Sequence, residues 1–155
     1  VIKAFEEIND PYLHLVIAGG NGWLYKKIHK LVKGSSKREQ IFLLDYIFPD
    51  QRWDIYKNAK MLVWPSYYEG FGFPPLEAMS QGCPVITSSN SSLPEVMGKA
   101  ALLINPYNIS EITFAINQLL IDNKLRDYLI NQGKNKVLEF TWLKSASEIN
   151  KLFKL

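Results

Sequence analysis

The chain has 155 residues, enough for one domain with a real core, and 47% of them are hydrophobic. A net charge of +3 is too mild to call for nucleic acid, and the single cysteine, Cys83, excludes an intrachain disulfide. No run of roughly 18 apolar residues is present, so nothing reads as a membrane span.

The chain opens on the interior of a helix, with Ile2, Phe5 and Ile8 on one side and no initiator Met. Tyr12 to Ala18 is an apolar segment broken only by His14, the pattern of a buried parallel strand. Gly19-Gly20-Asn21-Gly22 then turns the chain, and Tyr25 stands where a dinucleotide fingerprint needs its third glycine. A helix follows with Leu24, Ile28, Leu31 and Val32 inward. Lys26, Lys27, Lys30, Lys33, Lys37 and Arg38 line its other face and exit; a solvated face is the simple reading, a phosphate or anionic membrane contact the sharper one. His29 has no Cys or acidic cluster at ligand spacing. Ile41 to Leu44 is a second strand, ending in Asp45-Tyr46-Ile47. Asp50 to Ala59 is predicted helical, with Trp53, Tyr56 and Ala59 facing inward.

Met61 to Trp64 is the strand that delivers the backbone into Pro65-Ser66 and the stretch EGFGFPPLEAM. Gly70 and Gly72 allow a bend through positive φ and a close approach to another molecule. Pro74 and Pro75 suit a helix start, Leu76, Ala78 and Met79 a short helix, and Gly82 its C-terminal cap. Strand, glycine bend and helix N-terminus together form the geometry of an anion cradle. Glu69 and Glu77 bracket the bend with seven residues between them. Such carboxylates could act as an acid/base pair, or accept hydrogen bonds from sugar and ribose hydroxyls. They could equally be a loop acid and a group complementing the helix dipole.

Pro84 to Thr87 is another buried strand, and its exit, Ser88-Ser89-Asn90-Ser91-Ser92, is rich in hydroxyls. Those groups suit either a sugar pocket beyond the strand ends or the cap of a helix starting near Pro94-Glu95. Ala101 to Ile104 supplies the last strand. Asn108 and Glu111 make a capping pair for a helix with Ile112, Ala115, Ile116, Leu119 and Leu120 on one face. A second helix carries Leu125, Leu129 and Val137, and Trp142 begins a third. Cys83, between Gly82 and Pro84, reads as a small buried residue. Alternating strands and helices predict an α/β fold, a Rossmann-like parallel sheet with helices on both faces.

The central stretch resembles the donor-site signature of the retaining GT-B glycosyltransferases, the glycosyl transferases group 1 family. Similar strings recur in order at Leu15-Val16-Ile17-Ala18-Gly19-Gly20, Ile55-Tyr56-Lys57-Asn58-Ala59, Pro84-Val85-Ile86-Thr87-Ser88, Ser92-Leu93-Pro94-Glu95-Val96-Met97-Gly98 and Phe140-Thr141-Trp142, nearly the whole chain. The resemblance implies that residues 1–155 form the C-terminal, nucleotide-sugar-binding domain of a two-domain enzyme. The chain then begins inside that half, without the N-terminal acceptor domain, the domain's first strand, or a loop whose two basic residues help neutralise the donor diphosphate. The last helix, which in the family packs back towards the other domain, would leave Leu152, Phe153 and Leu155 partly exposed. One departure is Asp45, where the family usually has Gly; it leaves the nucleobase open and suggests an Asx turn conformation.

The implied activity is transfer of a sugar from a nucleotide-diphospho-sugar to a hydroxyl acceptor, with retention at the anomeric carbon. Glu69 would hold the donor sugar and steady developing positive charge. The amides of Gly70, Phe71, Gly72 and Phe73 would serve sugar and phosphate oxygens, Glu77 the ribose, and Gly19, Gly20 and Tyr46 would lie beside the nucleotide. No Asp-x-Asp pair occurs, in keeping with metal-independent handling of the leaving group and no cofactor beyond the donor substrate. The resemblance further implies a cytoplasmic enzyme with no nucleic-acid partner, for which a peripheral membrane contact through the absent half is one option. The alternatives are a nucleotide-binding fragment without activity of its own, or a relative such as a nucleotide-sugar epimerase or phosphorylase. A nicotinamide-binding domain is the weakest, given the failed glycine spacing.

Overall fold

The structure, a computed structural model, describes residues 1–20, 22 and 25–153. Helix α1 (Ile2–Glu6) leads to strand β1 (Leu15–Ala18), helix α2 (Tyr25–Lys33), strand β2 (Ile41–Leu44) and helix α3 (Pro49–Asn58). Strand β3 (Leu62–Trp64), helix α4 (Phe73–Ser80), strand β4 (Val85–Ser88), helix α5 (Leu93–Met97) and strand β5 (Ala101–Ile104) follow. Helices α6 (Ile109–Ile121), α7 (Asn123–Val137) and α8 (Trp142–Phe153) complete the order. Of the expected positions, Asn21, Leu24 and Leu155 lie outside the described residues.

All strand pairs are parallel, as expected, but they form two ladders rather than one sheet. Strand β1 pairs with β2, Leu15 opposite Ile41, while β4 lies between β3 and β5, with Val85 opposite both Leu62 and Ala101. Strand β4 is buried along its whole length. Its side chains alternate between two cores, because successive residues of a strand point to opposite faces. Val85 joins Leu76, Met79, Leu93 and Met97 on one face; Ile86 joins Ile8, Ile104, Ile116 and Leu119 on the other. Helices thus cover both faces, and the apolar run in β4 has its physical cause.

The first ladder is different. Leu15, Ile17 and Leu43 pack on one side against Phe5, Val32 and Ile41. Val16 and Phe42, on the other side, are each 45% exposed. The strand predicted over Tyr12–Ala18 is shorter, Leu15–Ala18, and only half-buried, since Val16 and Phe42 join none of the described cores. The inward face predicted for α2 also shrinks to Val32, leaving Ile28 and Leu31 exposed over this two-stranded ladder.

Helix α1 spans the two cores: Ile2 and Phe5 belong to the first, Ala4 and Ile8 to the second. The Lys37 ammonium donates to the Ile8 carbonyl, and the Gln40 side-chain amide donates to the Asp10 and Leu13 carbonyls at 3.0 and 2.8 Å. Those bonds pin the turn between α1 and β1 to the entry of β2. Thr113 of α6 donates to the Glu7 carboxylate at 2.9 Å, tying α1 to the second core.

Caps follow the sequence with one change. Gly82 sits at φ +74°, ending α4 as a glycine cap. The Asn108 side chain accepts from the Glu111 amide at 3.2 Å, but the Glu111 carboxylate reaches back to the Asn105 amide rather than to Asn108. Helices α4 and α7 touch closely at Gly133, where a Cβ would meet Met79 Cγ at 2.9 Å. The Cys83 thiol is buried, and burial pushes its pKa up to about 12, so it stays protonated and inert. As foreseen, Leu152 and Phe153 of α8 are exposed.

Candidate functional site

The site is built where β3 ends. Trp64 closes the strand, Pro65 and Ser66 carry the chain out, and residues 67–72 bend back before α4 begins at Phe73. Gly72 is the N-cap of α4 at φ +104°, and a Cβ there would lie 2.7 Å from Leu93 Cδ2 and 3.2 Å from Met97 Cε. Only glycine satisfies both the left-handed backbone and the contact with α5. Gly70, by contrast, has open space where a Cβ would point. The helix therefore starts one residue before Pro74, and Pro74 and Pro75 occupy positions whose missing N–H groups cost it nothing. The Gly72 and Phe73 amides precede any intrahelical partner.

The hydroxyl-rich exit of β4 holds this bend in place. Thr87 and Ser88 are buried and donate to the carbonyls of Trp64 and Ser66 at 2.9 and 2.6 Å. The Asn90 side-chain amide donates to the Tyr67 carbonyl at 2.9 Å, and Ser92 Oγ lies 2.9 Å from the Glu69 carbonyl and 3.3 Å from that of Phe71. Ser91 Oγ accepts from the Glu69 amide at 3.1 Å, and Ser91 adopts a positive φ of 51° to reach it. Neither reading of these residues foresaw that role: they strap one loop to another. Ser92 precedes α5 but its side chain does not cap it.

Glu69 is half-buried, and its carboxylate accepts from the Trp64 indole N–H at 2.8 Å. One oxygen is thereby fixed by the strand that delivers the loop, and the other has no protein donor among the described residues. Tyr67 stacks on Tyr107, from the loop after β5, with ring centroids 4.6 Å apart. Phe71 packs between Phe73 and Phe140 at 5.0 and 5.4 Å, which uses its ring to anchor the bend.

Glu77 lies in the second turn of α4 and points to α3. Its Oε1 is 3.2 Å from Arg52 Nη2, and its Oε2 is 3.4 Å from the Tyr56 hydroxyl, which donates. The Glu77 side chain keeps 21% of its surface exposed, so the pair is not sealed. Tyr56 has its pKa pushed up to about 12, first by burial and then by the Glu77 charge, with Arg52 acting the other way. It is a hydrogen-bond donor at any ordinary pH. Sequence reasoning singled out Glu77 but not Arg52, because a lone arginine on a helix carries no motif.

Gly19 and Gly20 leave β1 beside the exit of β2; the Gly19 amide donates to the Leu44 carbonyl at 3.2 Å, and both glycines border a crevice with Asp45. Asp45 does not take the left-handed turn conformation expected of it, for Ser91 is the only described non-glycine with positive φ. Tyr46 is exposed and packs edge-on against Phe48 at 5.5 Å. Two groups of residues result: Gly19, Gly20 and Tyr46 beyond the first ladder, and Glu69 to Glu77 beyond the second. Helix α3, which starts after Tyr46 and carries Arg52 to Glu77, joins them. Among the described residues no three His, Cys, Asp or Glu side chains gather as metal ligands, and no helix is long and apolar enough to cross a membrane.

Residues 1–136 match the glycosyl transferases group 1 family. The chain is 35% identical over 141 residues to the Escherichia coli O-antigen chain mannosyltransferase B, covering 91% of this chain and 37% of that protein. The sucrose-phosphate synthase of Thermosynechococcus elongatus superposes with a TM-score of 0.87 at 26% identity, over 99% of this chain and 40% of the other. Anabaena HepE in complex with UDP-glucose has the same fold, with a TM-score of 0.87 at 17% identity, over 98% of this chain and 43% of its own. The chain thus spans about two fifths of the length of the proteins it matches.

Proposed function

The chain belongs to the glycosyl transferases group 1 family, and on that footing we propose that it is the C-terminal, donor-binding domain of a retaining glycosyltransferase. The full protein moves a sugar from a nucleotide-diphospho-sugar to a hydroxyl acceptor held by the rest of the polypeptide. The observation that carries this reading is the strapped bend, Glu69 to Gly72, running straight into the N-terminus of α4. Its free amides and the positive end of the helix suit an anionic leaving group. HepE, which shares the fold, was captured with UDP-glucose, the donor class proposed here.

In this assignment Glu69, steadied by Trp64, binds hydroxyls of the donor sugar and stabilises positive charge as the anomeric bond breaks. The amides of Gly70, Phe71, Gly72 and Phe73 take sugar and diphosphate oxygens, and Glu77 accepts from the ribose hydroxyls. Gly19, Gly20 and Tyr46 flank the nucleotide. Catalysis then rests on positioning and on charge stabilisation in a prebuilt site, with the leaving diphosphate met by backbone dipoles and no resident metal required of the residues present.

Calorimetric titration with UDP, GDP and ADP tests the assignment and identifies the base. Glu77→Ala is expected to weaken the diphosphate that binds by roughly 1.5–3 kcal/mol, the range for hydrogen bonds to a charged group. Unchanged affinity would remove Glu77 from the site. Incubating the intact protein with donor alone, or with donor and orthophosphate, separates transfer to an acceptor from epimerisation and phosphorolysis.

A further inference from the structure

We propose that Arg52 is a positioning residue of the donor site, orienting the Glu77 carboxylate for the nucleotide's ribose and offsetting its charge. This rests on the ribose-binding assignment of Glu77 made above. Arg52 and Tyr56 stand one turn apart on α3, so both side chains leave the same face of the helix. Each takes one oxygen of the same carboxylate, Arg52 at 3.2 Å and Tyr56 at 3.4 Å. A carboxylate offers about four lone-pair sites, so this clamp leaves room for two hydroxyls on its exposed edge. A vicinal diol is the ligand that matches two adjacent free acceptors.

Charge points the same way. A nucleoside diphosphate brings about two to three negative charges, and an uncompensated glutamate beside its ribose would oppose binding. Arg52 cancels that charge in place. The guanidinium packs beside Trp53, its carbon 5.5 Å from the ring centre, and the Arg52 side chain is only 35% exposed. Its Nε is buried with no partner among the described residues, and Glu77 is the one carboxylate it pairs with there. Helix α3 is in turn anchored to the loop that carries Tyr46. Pro49 sets its first turn, and the Gln51 side chain accepts from the Phe48 amide at 3.1 Å. Arg52 therefore fixes the acid from the helix that also sets the other flank of the nucleotide.

The test is a comparison of ligands in the full chain. UDP, GDP and ADP are each titrated beside their 2′,3′-dideoxy counterparts, with wild type, Arg52→Ala, Arg52→Lys and Glu77→Ala, and thermal unfolding is followed alongside. Arg52→Ala should weaken the ribonucleotide about tenfold and the dideoxy analogue by no more than about threefold: both then meet the uncompensated Glu77 charge, but only the ribonucleotide also loses an acceptor oriented for its diol. Arg52→Lys keeps the charge on a flexible stem and should recover affinity to within about threefold of wild type. Equal losses for both ligands, or no loss, would overturn the proposal while leaving the ribose assignment intact, provided Glu77→Ala still discriminates between them. If Glu77→Ala does not discriminate, or none of the three diphosphates binds, the ribose assignment falls and this proposal with it. Should Arg52→Ala not fold, the ratio of ribo to dideoxy affinity in Arg52→Lys decides, a ratio equal to wild type counting as support only if Arg52→Gln lowers it.

Discussion

The two ladders of this domain are built from similar residues and bear opposite burdens. In the β3–β4–β5 ladder, Val85 and Ile86 turn to opposite faces and each meets a helical layer, so the strand contributes to two cores at once. In the β1–β2 ladder, Leu15, Ile17, Ile41 and Leu43 join a core, while Val16 and Phe42, the latter edge-on to His14, face outward. The loop that carries Glu69 grows from β3, a half-buried strand paired with the fully buried β4, and the Gly19–Gly20 turn from the ladder whose second face is exposed. Rigidity is thus concentrated where sugar and phosphate are proposed to bind, and the side given to the nucleobase rests on a thinner foundation.

Substitutions in the two ladders break that contrast most directly. Ile86→Ala, with no exposed surface in the native protein, should cost about 2–5 kcal/mol in urea unfolding, whereas Val16→Ala should cost less than about 1 kcal/mol. Comparable losses would show that the first ladder is as tightly held as the second. The next effect sharpens the comparison inside the bend itself. Gly72→Ala forces a side chain into a left-handed backbone against Leu93 and should destabilise by roughly 1–3 kcal/mol, with donor affinity falling too. Gly70→Ala meets open space and should stay within about 1 kcal/mol of wild type by the same measurement. The smallest effect concerns the strap. Ser92→Ala removes the hydroxyl that serves the Glu69 and Phe71 carbonyls, a loss of about 1 kcal/mol in stability, with KM for the donor rising more than kcat falls. A drop in kcat alone would mean that the strap acts on the reacting bond rather than on donor binding.

The sequence made most of this fold legible because its strands and helices alternate with clear periods and clear stops. Gly82, Asn108 and the proline pair each marked a boundary through backbone chemistry that depends on a few neighbouring residues. Burial of Val16, Ile28 and Leu31 was over-read for the same reason. Apolar character says that a residue can be buried, and only the count of covering layers says whether it is. The acids were visible as a spaced pair around two glycines. What held them was not, because Trp64, Ser91, Ser92 and Arg52 act through contacts between elements that no local pattern records. Asp45 misled through its type: an Asx residue tolerates the left-handed region without being obliged to enter it, and Ser91 entered it instead, drawn by the Glu69 amide.

The serine and asparagine bonds between the β4 exit and the central bend have one more consequence. A flexible active-site flap must give up its freedom each time a ligand arrives, and that loss is subtracted from affinity at every turnover. Here the surrender happens once, when the protein folds, through donors at Ser88, Asn90 and Ser92 that the bend's own carbonyls already engage. In the function proposed here, product would then depart from a surface that does not have to reopen, and any gating would fall to motions of larger bodies than this loop.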